Sequence, residues 1–298
     1  MFRYNDSGAT EAQILSRMAA PWRSHLQISR LFQTPRKPGD SFEFAVLGDA
    51  EPGRLWISRA LFNHPGVFSR QLGSIQSQPV DFSIQLGDMV SCGRAGQYLK
   101  FFNQLHEVGV TKPYLTVIGN HDRSWPHAPS HSRLYRSLFG RSNYHFDYGG
   151  VRLIVLDSSR RRVTRMQLKW LSLVLRTPLR KLVFTHMPPV LLRLWGGAAA
   201  HPMGGFAAGA EEFTDLMAQA GVERVYMGHV HSFGVQDYKG VRYILSGGGG
   251  SPLFPSGSSD RFHHYLTVSV APRGMRERVH SLDGSSFVIP PGKVVLPS

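Results

Sequence analysis

Nine residues of the types that hold cations or move protons stand directly behind short apolar runs in this sequence. Asp49 and Glu51 follow the run at 42–48, within Gly48-Asp49-Ala50-Glu51. Asp88 follows 80–86, and Asn120, His121 and Asp122 follow 114–118. His186 follows 181–185, and His229 and His231 follow 223–227. Carboxylate and amide oxygens suit Mg, Mn and Fe, whereas imidazole nitrogens suit Zn and Fe. A carboxylate has two oxygens, so one Asp can bridge two cations. Gly48, Gly87, Gly119 and Gly228 precede four of these groups, and glycine lets a chain turn sharply and approach a site closely. A lone Asp after a strand is most often a helix cap. Five such elements, each at the end of an apolar run, point to one metal site.

The elements that must position these residues read as a layered α/β domain whose later part is mostly antiparallel. Strands are expected at 42–48, 80–86, 114–118, 143–148, 151–157, 181–185, 223–227, 233–238, 241–246, 262–270 and 274–281. Helices are expected at 54–62, 95–107, 131–138, 164–175 and 210–219. In an α/β sheet the carboxyl ends of the strands share one rim, and ligands bind there. Residues far apart in sequence should therefore converge.

The motifs resemble those of the calcineurin-like metallophosphoesterase superfamily, in its bacterial branch close to the purple acid phosphatases. The family pattern is D-x-H, G-D, G-N-H-D/E, H and G-H-x-H. Here it reads Asp49-Ala50-Glu51, Gly87-Asp88, Gly119-Asn120-His121-Asp122, His186 and Gly228-His229-Val230-His231. The stretches 144–158, 167–171, 184–189 and 246–252 add to the likeness, which runs from about Phe42 to Tyr265.

The resemblance implies a four-layer sandwich of two mixed β-sheets flanked by helices. It implies two divalent metal ions, with Mn or Fe favoured over Mg or Zn. Asp49 and His231 would hold the first, Asn120, His186 and His229 the second, and Asp88 would bridge them. His121 would contact the phosphate and protonate the leaving group, with Asp122 orienting it. The reaction implied is hydrolysis of a phosphomonoester or phosphodiester by a metal-bridging hydroxide. Glu51 departs from the pattern, which usually has His there. It is either a harder ligand of the first metal or a wall of the pocket.

The chain has 298 residues and a net charge of +14. From Arg133 to Lys181 there are twelve Lys or Arg against two acids, Asp147 and Asp157. Such a surface either attracts anions or only keeps the protein soluble. Arg160, Arg161 and Arg162 follow the strand ending at Asp157 and are expected to face the rim as substrate contacts, together with Asn120 and His121. A nuclease is the alternative reading, but the run 160–165 lacks the aromatics that nucleic-acid grooves interleave with charge. A non-catalytic scaffold of the same fold is a third.

Three regions are expected: an N-terminal extension at 1–40, the phosphoesterase domain at 41–285 and a tail at 286–298. The extension either packs on the core or touches a membrane surface. The apolar connection 187–210 carries Leu191, Leu192, Leu194 and Trp195, which either line the site or pack under the loop. His201 lies there too, as a surface residue or a substrate contact. Cys92 is the single cysteine, so no internal disulfide is possible. No run approaches the roughly 20 apolar residues of a membrane span, and no secretory signal is seen. A cytoplasmic location is the expectation. The oligomeric state is left open.

Overall fold

The computed structural model describes residues 9–50, 66–124, 131–192, 204–253 and 261–290. Twelve strands form two six-stranded sheets among these residues. The first contains β1 (Phe42–Leu47), β2 (Phe82–Gln85), β3 (Tyr114–Thr116), β10 (His264–Ala271), β11 (Gly274–Ser281) and β12 (Ser286–Val288), in the order β12-β11-β10-β1-β2-β3. The second contains β4 (Tyr144–Tyr148), β5 (Val151–Leu156), β6 (Arg180–Thr185), β7 (Arg224–Met227), β8 (Phe233–Tyr238) and β9 (Val241–Ser246), in the order β4-β5-β6-β7-β9-β8. Both sheets are mixed. β1, β2 and β3 run parallel, as do β5, β6, β7 and β9, and antiparallel strands form every edge but that of β3.

Side-chain alternation along the strands makes this a sandwich. Phe42, Phe44 and Val46 of β1 point into one apolar layer, which also holds Leu153 and Val155 of β5 and Phe184 of β6. That layer lies between the two sheets. Ala45 and Leu47 point the other way, into a layer shared with Leu72, Tyr98, Phe101 and Phe139. Those four belong to helices α3 (Val67–Ser77), α4 (Ala95–Val108) and α5 (Arg133–Phe139). Ile154, Leu156 and Val183 face a third layer with Leu171 of α6 (Arg165–Val174) and Phe213 and Met217 of α7 (Ala210–Gln219). The order of layers is therefore helix, sheet, sheet, helix. The expected strands all appear, within a few residues at their ends. The helix expected at 54–62 lies outside the described residues, whereas α3 and β12 were not foreseen.

The N-terminal segment packs on the core. Helix α1 (Glu11–Ala19), held at its start by a capping box of Thr10 and Gln13, buries Leu15 and Ala19 in the outer layer of the first sheet. Helix α2 (Ser24–Leu31) covers the free edge of that sheet, because the Tyr114 amide of β3 donates to Gln27 Oε1 at 2.8 Å. An unpaired strand edge is thereby satisfied. At the other end, β12 pairs with β11, and Ile289 joins the central layer. Residues 286–289 thus complete the first sheet.

Candidate metal centre

The strand registers bring the expected residues together. Leu47 pairs with Gln85, Gln85 with Thr116, Leu156 with Thr185, and Phe184 with Tyr226. The carboxyl ends of β1, β2, β3, β6 and β7 therefore stand side by side, and each continues into one of the motifs. The backbone goes on pairing beyond the strands. The Asp49 amide donates to Gly87 O at 3.1 Å and the Ala50 amide to Asp88 O at 3.0 Å. The loop after β9 supports this from the other side, with the Ser251 amide donating to Asp49 O at 2.8 Å.

The turns are tight. Asp49, Asp88 and His229 have φ of 61°, 50° and 74°, three of the five described non-glycine residues with positive φ. This left-handed region costs about 1–2 kcal/mol per residue, and such conformations persist where the surroundings over-determine them. Gly119 shows how close the chains come. A Cβ there would lie 2.0 Å from Asp88 Oδ1 and 2.3 Å from the Asp88 amide.

Asp88 lies at the middle and is buried. Its Oδ1 accepts the His121 amide at 2.8 Å, and its Oδ2 is 3.2 Å from His186 Nε2. His186 is fully buried, and its Nδ1 stands 2.8 Å from Leu86 O, to which it can only donate. Nδ1 therefore carries a proton, and Nε2 is turned towards the site. Asn120 Oδ1 is 3.0 Å from that same Nε2. Asp88, His186 and His229 each offer a donor atom within 4.8 Å of the others.

Asp49 and His231 form the neighbouring corner. Asp49 is buried, and both of its oxygens accept the His229 amide, at 3.0 and 2.9 Å. His231 donates from Nδ1 to Pro252 O at 2.8 Å, which leaves Nε2 3.8 Å from Asp49 Oδ1. Glu51 lies outside the described residues, as do Leu194, Trp195 and His201. Leu192 is buried and Leu191 is exposed.

Charge is concentrated here. Burial pushes the Asp49 carboxyl up to about 6, against the pull of His186 and His231. Burial acts the same way on Asp88, but His186 and His121 outweigh it and hold its carboxyl below the usual range. Burial disfavours the His186 imidazolium, yet the neighbouring Asp88 and Asp49 raise it to about 9.

The donor set fits a cation. Asp88 Oδ2 and Asn120 Oδ1 stand 3.2 and 3.0 Å from His186 Nε2, so the two oxygens surround a nitrogen whose proton a cation can replace. Imidazoles whose other nitrogen donates to a backbone carbonyl are the usual form of a metal-ligating histidine. Both His186 and His231 have that form.

Asp122 differs from its expected role. Its buried carboxylate accepts three backbone amides, from Asp88 at 2.9 Å, Met89 at 3.0 Å and Gly119 at 2.7 Å. It therefore fastens the Asp88 turn to the Asn120 turn. His121 is oriented instead by Ser91 O, 3.1 Å from Nδ1, which turns Nε2 towards Asp88 Oδ2 at 3.9 Å. The backbone carbonyls of Leu86, Ser91 and Pro252 have no side-chain signature, so sequence alone could not single them out. Arg123 was also missed, although it directly follows the Asn120 motif. It is buried, and its Nη1 donates to Ser159 Oγ at 3.2 Å. Burial lowers its pKa, Asp157 works against this, and Arg160 adds a smaller lowering. Arg160, Arg161 and Arg162 are all exposed, and Arg162 bridges to Ala208.

A match to the family described as calcineurin-like phosphoesterase covers residues 42–233, from β1 to the start of β8. The chain belongs to the calcineurin-like phosphoesterase family. Phosphoester hydrolysis is the chemistry of that family, and membership implies a divalent-cation site for which Asp88, His186 and His229 are a candidate. Among calcineurin-like relatives, a nucleotide pyrophosphatase/phosphodiesterase of Hordeum vulgare is 26% identical over 295 residues, spanning 78% of this chain and 77% of its own. A probable inactive purple acid phosphatase of Arabidopsis thaliana is 26% identical over 230 residues, spanning 60% of this chain and 36% of its own. The solved purple acid phosphatase from yellow lupin, Lupinus luteus, shares the fold at a TM-score of 0.65 and 18% identity. That likeness covers 84% of this chain and 54% of the lupin chain. The two mixed six-stranded sheets flanked by helices are the sandwich expected of this family.

Proposed function

We propose that this chain is a two-metal phosphoester hydrolase whose centre is built from Asp49, Asp88, Asn120, His186, His229 and His231. The observation that carries this reading is the grouping of donor atoms from Asp88, His186 and His229 within 4.8 Å of one another, with Asn120 Oδ1 3.0 Å from His186 Nε2. Asn120, His186 and His229 would hold one cation, and Asp49 and His231 the other. Asp88 would serve both through its two oxygens, and Glu51 would add a ligand to the Asp49 side. The oxygen-rich set favours Mn or Fe. When bound, two cations acidify a water and withdraw charge from the phosphoryl oxygens.

The chain's own residues do the rest. Ser91 O holds His121 with Nε2 towards the centre, so a proton carried there can pass to the departing oxygen. Asp122 locks the two ligand turns together. Arg123 and Arg160 supply positive charge at the rim and, with Arg161 and Arg162, favour anionic esters. The name of the barley relative makes nucleotide phosphodiesters the first substrates to test, beside aryl monoesters. Asp88→Asn tests the reading, because a neutral amide serves two cations poorly. Turnover is expected to fall by about a thousandfold or more with the fold kept. Near-normal turnover in that variant, with two metals still bound, would overturn the proposal.

A further inference from the structure

A second cluster of positive charge includes none of the residues of the metal centre. A hollow of about 390 Å³ is lined by Arg133, Arg136, Ser137, Gly140 and Arg141. Arg133, Arg136 and Ser137 share the outer face of α5, being three and four residues apart. The opposite face, with Tyr135, Leu138 and Phe139, is buried, and the Tyr135 hydroxyl meets Thr116 Oγ1 at 2.9 Å. Gly140 ends the helix at φ 99° and ψ −146°, a backbone conformation open essentially only to glycine. That turn brings Arg141 to the same hollow.

Among the described residues these three guanidinium groups have no ion-pair partner. No carboxylate of the described residues lines the hollow. The described ion pairs of Lys and Arg engage Arg36, Arg152, Arg180, Arg224, Lys239 and Arg242, and none of these lines it. The nearest acids along the chain are already committed, Asp122 to three backbone amides and Asp147 to both sides of Arg152. Like charges three residues apart weaken a helix, and α5 has only seven residues. The fold gains nothing evident from this grouping, whereas a bound anion would relieve it. Guanidinium groups bind phosphate through paired N–H donors. The hollow is open to solvent and has room for more than a single phosphate.

We propose that this hollow binds a phosphorylated anion carrying at least two negative charges, at a site separate from the metal centre. The shared chemistry is that of a diphosphate or of an anionic phospholipid headgroup. The lipid source has a structural motive. Ser24 Oγ at the start of α2 donates to Phe139 O at the end of α5, and the α2 segment exposes Leu26 and Phe32.

The test uses the full metal-loaded chain and methylenediphosphonate, a diphosphate that cannot be hydrolysed at its bridge. Calorimetry of the wild type is expected to show two binding sites. Replacing Arg133, Arg136 and Arg141 together with Ser should weaken one of them about tenfold or more, while Asp88→Asn spares that site. In parallel, the wild type is spun with vesicles of phosphatidylglycerol and of phosphatidylcholine. Pelleting with phosphatidylglycerol alone, lost in the triple variant, assigns the site to a headgroup. Diphosphonate binding without pelleting assigns it to a free ligand. Should the triple variant lose its circular-dichroism signature, Arg136→Glu alone repeats the measurement. Unchanged binding of both probes in a folded variant overturns the proposal, as does a wild type that binds neither probe outside the metal centre. The metal-centre reading survives either result.

Discussion

At the scale of single residues, the centre depends on which atom each side chain presents. His186 and His231 each give one ring nitrogen to a carbonyl and keep the other for the site. His121 has the same arrangement through Ser91 O, but its Nε2 stands 3.9 Å from Asp88 Oδ2, outside the tight cluster. That position suits a proton donor better than a ligand. His121→Ala is therefore expected to lower turnover about a hundredfold for esters with poor leaving groups, and much less for good ones. Neither metal should be lost. Steady-state kinetics on aryl phosphates of graded leaving-group pKa decides this, and an equal loss across the series would leave His121 as a phosphate contact only. The side chains that meet at the strand ends could be picked out in the sequence because Asp, Asn and His in that order are distinctive. The partner of His121 was not. Asp122 is the adjacent acid, yet three amides occupy it, and the carbonyl that acts in its place could have belonged to any residue type.

At the scale of elements, parallel strands ending in register create the rim, and glycines allow the turns that follow. Gly119 is the tightest of these. Its missing Cβ leaves room for both the Asp88 carboxylate and the Asp88 amide, and a backbone amide cannot swing aside. Gly119→Ala should displace Asp88, cutting turnover about a hundredfold and stability by about 1–3 kcal/mol. Kinetics and urea unfolding of the variant would check this, and a variant with wild-type values would mean that the two turns are loosely joined. Most strands could be read from the sequence, since runs such as Val151–Leu156 are dense in β-branched residues. α3 escaped because Gly73 and three serines dilute its apolar spacing. β12 escaped because three residues carry too little pattern, and its place is set by pairing with β11.

At the scale of the whole molecule, two sheets share one apolar layer, and that pairing could not be read from the strand list without the family resemblance. Sheet order depends on crossovers that composition does not reveal. The closed core also buries a titratable group away from the ligands. Burial pushes His264 down to about 4 from an ordinary 6.5, partly offset by the Phe262 carbonyl that accepts its Nδ1 proton. Between those values the unfolded chain binds the extra proton and the folded chain does not. Stability from this group is thus present above pH 6.5 and lost as pH falls towards 4, by up to about 3 kcal/mol. His264→Asn, which keeps a donor but does not titrate, is expected to flatten the fall in melting temperature between pH 6.5 and 4.5. An identical slope in both proteins would assign acid sensitivity elsewhere. The central claim concerns the cations themselves, and elemental analysis beside activity tests it most directly. Purified wild-type protein is expected to hold two divalent metals per chain, to lose aryl phosphate hydrolysis when a chelator strips them, and to regain it with Mn or Fe. Full hydrolysis by thoroughly stripped protein, or a chain that binds no divalent metal under any loading, would contradict the account.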